Sequence, residues 1–235
     1  NTMQEMYKHE LKIKKHKKVS HFTYGRYGST TTIELENILK ELEQAYHVFL
    51  TGTGFGGIAL ALMALCRPGD EILVSDNVYG PTKEISQELM KEFKVDAKFY
   101  NPDSLDDLKG KISHKTKMIL VENPGSNTFE FQDLSQIVKL AKRKKIFTLL
   151  DNTWATPLYF KPLKLGFDMS FCSATKYFSG HSDAMGGSLA VNQKVFKKIM
   201  FFYKLSGYRM SADEAYLIIR GLRTLDTRLK QHYEN

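Results

Sequence analysis

Short apolar runs alternate along this chain with longer segments in which apolar residues recur at helical spacing. Uninterrupted apolar runs of a few residues are typical of buried strands, whereas a period near 3.6 residues predicts a helix. Proline and glycine at the borders of the runs mark turns between elements. The pattern predicts strands at 48–51, 71–75, 96–100, 117–121, 146–150, 169–173 and 188–191, and helices at 56–65, 81–93, 133–145 and from 213 onward.

Continuous apolar strands that alternate with helices predict an α/β fold, with a mainly parallel sheet sandwiched by helices. The carboxyl ends of such strands lie along one edge of the sheet, where open sheets bind their ligands. Five loops would meet at this edge, after Leu50, Ser75, Val121, Leu150 and Ser173. Their convergence predicts the position of a binding site more firmly than any single motif does.

Composition and charge narrow the class of protein. The 235 residues are 42% hydrophobic and 26% charged, as in soluble globular proteins, and no apolar run has transmembrane length. The net charge is +8, and part of the excess lies in an early run of lysines. That run lacks interleaved aromatic residues and a nucleic-acid motif, so we favour a solvated arm. We expect neither a membrane nor a nucleic-acid partner.

Two cysteines, Cys66 and Cys172, lie in apolar segments and lack metal-ligand spacing. We interpret both as buried thiols of a protein in a reducing compartment, the cytoplasm, and we expect no metal site.

Two strand ends carry the residues with the most specific chemistry. The run 146–150 leads into Asp151, and the run 169–173 leads into Ser173, Thr175 and Lys176. A pyridoxal phosphate (PLP) site needs a lysine for a Schiff base, a carboxylate for the pyridinium nitrogen and hydroxyl groups for the phosphate. Asp151 alone, or Lys176 alone, would more often be an ordinary turn or loop residue, but the two together favour PLP chemistry.

The segment 51–57 is rich in glycine and lies between a strand and a helix. Such a loop lets the backbone approach an anion at the helix N-terminus. It lacks the lysine of a P-loop, but it satisfies the pattern Gly-x-Gly-x-x-Gly, with Asp76 about 20 residues further on. On local grounds a dinucleotide-dependent oxidoreductase therefore stays a competing interpretation.

The ordered motifs of the chain resemble the PLP-dependent enzymes of cysteine and methionine metabolism, which have PLP fold type I, the fold of aspartate aminotransferase. The resemblance covers nearly the whole chain. The motifs that carry it lie at residues 24–30, 53–55, 79–80, 122–126, 151–154, 173–176, 180–185 and 220–225.

The resemblance implies a role for each matching residue. Lys176 would carry the cofactor and move the substrate Cα proton, Asp151 would keep the pyridine nitrogen protonated, and Tyr79 would stack on the ring. Tyr24 would be a further catalytic residue. The cofactor phosphate would be held by backbone amides and hydroxyls of Gly54, Phe55, Ser173 and Thr175.

The resemblance also implies an oligomer. Tyr24 and Arg26 would reach the cofactor phosphate of a neighbouring subunit, which predicts a homodimer with shared sites and, beyond it, a tetramer. The expected domains are an arm at 1–30, a PLP-binding domain at 31–211 and a long helix at 212–235. That helix would lead toward a C-terminal domain that this chain lacks, and in the family that domain supplies the arginine for the substrate carboxylate.

One departure from the family pattern concerns the ring oxygen of the cofactor. Many relatives have asparagine where Ser126 lies, and here the asparagine is one position later, at Asn127. The expected activity is carbon–sulfur β-elimination on an amino-acid substrate, cystathionine. γ-Elimination or γ-replacement, a catalytically impaired or non-catalytic member of the family, and the oxidoreductase are the alternatives.

Overall fold

The computed structural model describes Gln4 and residues 24–235, in which seven strands form one mixed sheet in the order β1-β7-β6-β5-β4-β2-β3. β7 is antiparallel to both of its neighbours, and all other neighbouring strands are parallel. The strands are His47–Thr51 (β1), Glu71–Ser75 (β2), Asp96–Tyr100 (β3), Thr116–Glu122 (β4), Phe147–Asp151 (β5), Met169–Ser173 (β6) and Gly187–Val191 (β7).

Helices cover both faces of this sheet. The longer ones are Thr30–Glu43, Gly54–Leu65, Leu105–Lys111, Leu134–Lys144, Gln193–Ser206, Ala212–Leu222 and Leu225–Glu234. The segment predicted as one helix at 81–93 consists of three consecutive pieces, with a π-helical middle: Gly80–Glu84, Ile85–Leu89 and Met90–Glu92. Short helical turns lie at Gly25–Tyr27, Thr156–Tyr159 and Pro162–Leu165.

The apolar core has two main parts, one on each face. On one face the helices Gly54–Leu65 and Gln193–Ser206 pack on alternate strand residues such as Leu120, Leu149 and Phe171. On the other face the intervening strand residues meet the helices Thr30–Glu43, Ala212–Leu222 and Leu134–Lys144. Burial on both faces explains why the strands are continuous apolar runs. The predicted fold class is therefore confirmed: β1, β2, β4, β5 and β6 all end at one edge of the sheet.

Two long helices were not apparent from the sequence. The helix Thr30–Glu43 begins with three threonines, which are poor helix formers, and a capping box between Ser29 and Thr32 holds its first turn. The helix Gln193–Ser206 is rich in aromatic residues, and it is capped by the Asn192 side chain. In both cases tertiary burial of an apolar stripe outweighs weak local propensity.

The single long helix predicted at 212–235 is a pair of helices in the structure. The chain turns at Arg223 and Thr224, where the Thr224 N–H and hydroxyl both donate to the Gly221 carbonyl. The first of the two helices belongs to the core, since Ala215 and Ile218 are fully buried in the cluster that also contains Leu35. This helix is thus an integral part of the sheet domain.

The remaining domain assignments stay predictions. Most of the arm predicted at 1–30 lies outside the described residues, because the structure describes only Gln4 and 24–30 of it. Within the described part of the chain, no helix is both long enough and apolar enough to cross a bilayer.

We expect Ile218→Ala to lower the free energy of unfolding by about 2–5 kcal/mol, because it leaves a cavity beneath the sheet. The matched control is Tyr216→Ala on the same helix, whose side chain is 61% exposed. Urea unfolding of both variants measures the difference. Equal, small effects at the two positions would show that this helix is not part of the core.

Candidate functional site

Three neighbouring strands end in polar residues on the same face of the sheet. Along β4, β5 and β6 the residues of this face are apolar until the last position, which is Glu122, Asp151 and Ser173 respectively. Glu122 is in register with Asp151 across the parallel pair. The helix Gly54–Leu65 packs on this same face and begins at the same edge. The edge therefore places acids, a hydroxyl and a helix N-terminus side by side.

Asp151 is the buried acid of this edge. Its side chain is 9% exposed, and burial raises the pKa of its carboxyl group to about 6. The Thr153 N–H donates to Asp151 Oδ1 at 2.9 Å, which fixes the orientation of the carboxyl group. A buried carboxylate pairs strongly with a cationic N–H, because little water competes for it.

Thr153 connects the ends of β5 and β6. Besides its N–H contact with Asp151, its hydroxyl oxygen accepts a hydrogen bond from the Ser173 N–H at 2.8 Å. This residue thus holds the acid and the start of the lysine turn in fixed relative positions. It was visible in the sequence only as a neighbour of Asp151, because a cross-strand contact leaves no local signal.

The glycine-rich loop approaches Ser173 closely. A Cβ built on Gly54 would lie 2.5 Å from Ser173 Oγ, so only glycine allows this contact without displacing the serine. Thr53 caps the helix Gly54–Leu65 by accepting from the Gly56 N–H at 3.0 Å. The N–H groups of the first turn, at Gly54 and Phe55, have no acceptor within the helix. They are thus suited to an anion.

Lys176 lies in the turn that follows β6. Its N–H donates to the Ser173 carbonyl at 3.2 Å, and its side chain is exposed. Thr175 is held against Gly186, whose N–H donates to the threonine Oγ1 at 3.1 Å. The turn therefore carries a solvent-accessible amine beside the hydroxyls of Ser173 and Thr175.

Side chains of the helices Ala212–Leu222 and Leu225–Glu234 fix the segment that follows Lys176. Arg228 donates to the carbonyls of Tyr177 and Gly221 at 2.7 and 2.9 Å. Glu214 accepts from the Met185 N–H at 2.7 Å, and Arg220 forms an ion pair with Asp183. The segment after Lys176 is thus fixed by side chains from two helices, which explains why the motif at 220–225 accompanies the lysine motif.

Tyr79 and Glu122 meet at the other end of the edge. The Tyr79 ring is 53% exposed, so its face is available for stacking, and its N–H donates to Glu122 Oε2 at 2.7 Å. Burial, followed by the negative charge of Asp151, raises the pKa of Glu122 to about 7. Ser126 lies near Glu122, whereas Asn127 is exposed with a φ of 66°. Glu122 has no predicted role from the sequence, although its position at a strand end was a usable signal.

A buried polar network supports the loops beneath Tyr79 and Glu122. The Gln132 side chain donates to Ser75 Oγ at 3.0 Å and to the Glu122 carbonyl at 3.1 Å, and it accepts from the Tyr100 hydroxyl at 2.8 Å. Ser75 in turn donates to Asn77. A satisfied buried network is rigid, so the ends of β2 and β4 keep a fixed spacing.

In the part of the chain that the structure describes, Tyr24 and Arg26 contact each other and not the other predicted residues of this edge. The Arg26 guanidinium lies 5.7 Å from the Tyr24 ring centroid and 5.1 Å from that of Tyr27. Within the described residues, no hydrogen bond or ring contact joins either residue to Lys176 or Asp151. Their predicted place in a neighbouring subunit's site stays a prediction.

A cavity of about 480 Å³ lies beyond this edge, at the outer strands. Its lining includes Asp76, Tyr100 and Asp107 but none of the predicted cofactor residues. The candidate site is therefore identified by the functional groups that lie together at the strand ends, and not by a cavity in the single chain.

Comparison with known proteins identifies the family. The sequence model of the Cys/Met metabolism PLP-dependent enzymes matches residues 3–235. The chain belongs to this family. It is 36% identical over 211 residues to cystathionine beta-lyase of Bordetella avium, and 36% identical over 211 residues to L-alanine/L-glutamate racemase of Wolbachia pipientis wMel. These matches cover 89% and 90% of the chain, and 53% and 52% of the relatives.

The solved structures agree with the fold. A crystal structure of cystathionine gamma synthase from Xanthomonas oryzae pv. oryzae, in complex with aminoacrylate and cysteine, matches with a TM-score of 0.85 and 31% identity. The match covers 88% of this chain and 54% of that one. The chain thus spans about half the length of the relatives it matches. Fold type I is confirmed, and the dinucleotide-dependent oxidoreductase is excluded by family membership.

The residues of the edge fit PLP, the cofactor of this family. The helix N-terminus at Gly54 offers N–H groups to a phosphate, and the close approach of Gly54 to Ser173 leaves room for no side chain between them. Asp151 offers a buried carboxyl group to a pyridinium N–H, and Lys176 offers an exposed amine. When bound, PLP supplies an electron sink for a carbanion at the substrate Cα.

We expect Gly54→Ala to weaken PLP binding about tenfold, because the new Cβ would displace the Ser173 hydroxyl and remove roughly one hydrogen bond to the phosphate. Gly110→Ala is the control, since a Cβ at Gly110 meets nothing within 4 Å. A fluorescence titration with PLP compares the two variants. Unchanged affinity in Gly54→Ala would remove Ser173 from the phosphate site.

We expect Thr153→Val to lower the free energy of unfolding by about 1–3 kcal/mol, because it leaves the Ser173 N–H without its acceptor at nearly constant volume. Thr153→Ser keeps the hydroxyl group and should lose much less. Urea unfolding gives both values. If Ser and Val behave alike, the hydroxyl does not connect the two strand ends.

Proposed function

We propose that this chain is a PLP-dependent carbon–sulfur β-lyase, which cleaves L-cystathionine with water to homocysteine, pyruvate and ammonia. Homocysteine is the precursor of methionine, so the reaction would belong to methionine biosynthesis. The observation that carries the proposal is the shared edge, where Asp151 and Ser173 end adjacent strands and Lys176 follows in the next turn. The similarity to cystathionine beta-lyase of Bordetella avium supports the substrate.

Each residue has a stated task in this proposal. Asp151 holds a proton at the pyridine nitrogen, and its burial strengthens that contact. Lys176 Nζ binds the cofactor, takes the proton from the substrate Cα and delivers a proton to the departing sulfur. Tyr79 holds the ring from one face. The phosphate is bound by the N–H groups of Gly54 and Phe55 and by the hydroxyls of Ser173 and Thr175.

The proposed assembly is a homodimer with shared sites, and two such dimers form a tetramer. Tyr24 and Arg26 then reach the phosphate of the neighbouring subunit's cofactor, and Tyr24 assists the reaction there. The cation–aromatic cluster of Arg26 with Tyr24 and Tyr27 supports this role, because it leaves the guanidinium without an ion pair to a carboxylate among the described residues. Buried thiols at Cys66 and Cys172 fit a cytoplasmic location.

Two relatives define the competing activities. The gamma synthase from Xanthomonas oryzae shares the fold and 31% identity, and the racemase of Wolbachia pipientis wMel shares 36% identity. All three activities use proton transfer at the substrate Cα, so Lys176 and Asp151 do not separate them. The products do: pyruvate indicates β-elimination, 2-oxobutyrate indicates γ-elimination, and a D-amino acid indicates racemisation.

We expect the purified chain with PLP and L-cystathionine to release homocysteine and pyruvate in equal amounts, because one carbon–sulfur bond breaks per turnover. Thiol titration and keto-acid chromatography measure the two products. Lys176→Ala should lose at least about a thousandfold in rate, because the group that moves the proton is gone.

Lys164→Ala, which removes an exposed lysine outside the edge, is the control. It should react like the unaltered chain. Turnover that survives in Lys176→Ala, or 2-oxobutyrate as the main product from L-cystathionine, would overturn the proposed activity. So would D-alanine formed from separately supplied L-alanine by a chain that releases no pyruvate from L-cystathionine. So would the absence of any product from the unaltered chain at saturating PLP.

A further inference from the structure

Glu122 occupies a position that the proposed reaction does not explain. It is the last residue of β4, in register with Asp151 on β5, and both side chains lie on the face covered by the helix Gly54–Leu65. Neighbouring strands are about 4.8 Å apart, so the two carboxyl groups are close neighbours. Glu122 Oε2 also accepts the Tyr79 N–H at 2.7 Å. The Glu122 carboxyl group thus lies between Asp151 and the backbone of Tyr79.

The groups that surround this pair come from four elements. From the loop after β4, the Ser126 hydroxyl acts on Glu122, and from the loop after β2 comes the Tyr79 N–H. From β5, Asp151 faces Glu122 and is itself bonded by Thr153. On β6, the negative charge of Asp151 contributes to raising the pKa of the Cys172 thiol. Among the described residues, the charge that acts on Glu122 is the negative charge of Asp151, which is repulsive.

Two carboxylates so close together in a buried place do not ionise independently. Burial and then the charge of Asp151 raise the pKa of Glu122 to about 7, and burial raises that of Asp151 to about 6. Just below neutral pH the pair therefore retains one proton and carries a single negative charge. That single charge matches the single positive charge of a protonated pyridine ring.

We propose that Glu122 is a positioning residue of the cofactor site, which fixes the Tyr79 segment through its N–H and keeps one proton beside Asp151. The carboxyl group acts through Tyr79 and Asp151 and not on the substrate. The inference rests on the cofactor site of the proposed function, and it extends that site by one residue. Its test uses properties of the full chain that do not depend on turnover.

The first readout is the amide resonance of Tyr79 in the full chain without added PLP. A hydrogen bond to a carboxylate shifts an amide proton downfield relative to a bond to a neutral carboxyl group. We expect this resonance to move with pH, with a midpoint near the Glu122 pKa of about 7. In Glu122→Gln the amide oxygen still accepts from Tyr79, but the titration is lost.

The second readout is the pH dependence of stability. The folded pKa of Glu122 lies above its unfolded value, so its contribution is full below the unfolded pKa and is lost as pH rises through about 7. Between about pH 5 and about pH 8, Glu122→Gln should therefore gain stability relative to the unaltered chain. Urea midpoints across this range measure the gain.

Glu71→Gln is the matched control, because Glu71 is also a strand glutamate of this sheet and is buried, whereas Glu122 is half-buried. Burial there is outweighed by hydrogen bonds from Lys98, Thr116 and Ser113, which lower the pKa of Glu71. This carboxylate stays ionised over the whole range. The stability difference between Glu71→Gln and the unaltered chain should thus stay constant from about pH 5 to about pH 8.

The third readout separates the two parts of the role. Glu122→Leu removes the acceptor of the Tyr79 N–H as well as the proton, so it should bind PLP about tenfold more weakly than Glu122→Gln does. If Glu122→Leu does not fold, the amide titration and the urea series of Glu122→Gln still decide the proposal.

The proposal is overturned if the Tyr79 amide does not titrate in the unaltered chain, or if its titration persists in Glu122→Gln. It is also overturned if the stability difference between Glu122→Gln and the unaltered chain is independent of pH. These results are separable from the proposed activity. If the Tyr79 amide titrates as expected but no pyruvate forms, only the proposed activity is contradicted. If pyruvate forms but the Tyr79 amide does not titrate, only the role of Glu122 is contradicted.

Discussion

The register of the parallel strands is the constraint on which the site depends. Side chains alternate between the faces of a sheet, so a slip of one residue would turn a strand's whole set of side chains over. Glu122, Asp151 and Ser173 reach the covered face only because Leu120, Leu149 and Phe171, two residues earlier, are buried there. Core packing and site geometry are thus the same constraint. A substitution that shifts the core of these strands also displaces the chemistry.

Burial of charge is the second consequence of this arrangement. Asp151 lies where water is largely excluded, which raises its pKa and strengthens any contact with a cationic ring. The same burial makes a second carboxylate beside it costly, and Glu122 reduces that cost by keeping its proton to near neutral pH. Thr153 and the Tyr79 N–H provide the hydrogen bonds that an acid in this position needs.

Much of this could be predicted from the sequence, for a physical reason. Buried strands are apolar and end abruptly, so their ends identify Asp151 and the lysine turn without knowledge of the fold. Glu122 and Thr153 were not predicted because their roles arise from pairing between strands that are distant along the chain. The helices Thr30–Glu43 and Gln193–Ser206 were missed for a related reason, since packing on the sheet stabilises them more than their own residues do.

The order of the strands also means that the chemical character of the edge changes from β6 to β4. The helix N-terminus at Gly54 and the Ser173 hydroxyl lie at β6, Asp151 lies one strand further at β5, and Glu122 lies at β4. The hydrogen-bond donors at β6 favour an anion, whereas the acids at β5 and β4 favour a cation. The two ends of this series are two strand spacings apart, roughly 10 Å. This order would favour a flat ligand whose phosphate lies at Gly54 and whose basic nitrogen lies at Asp151. Lys176 follows β6 in the next turn, so this orientation would decide which atom of the ligand the amine meets.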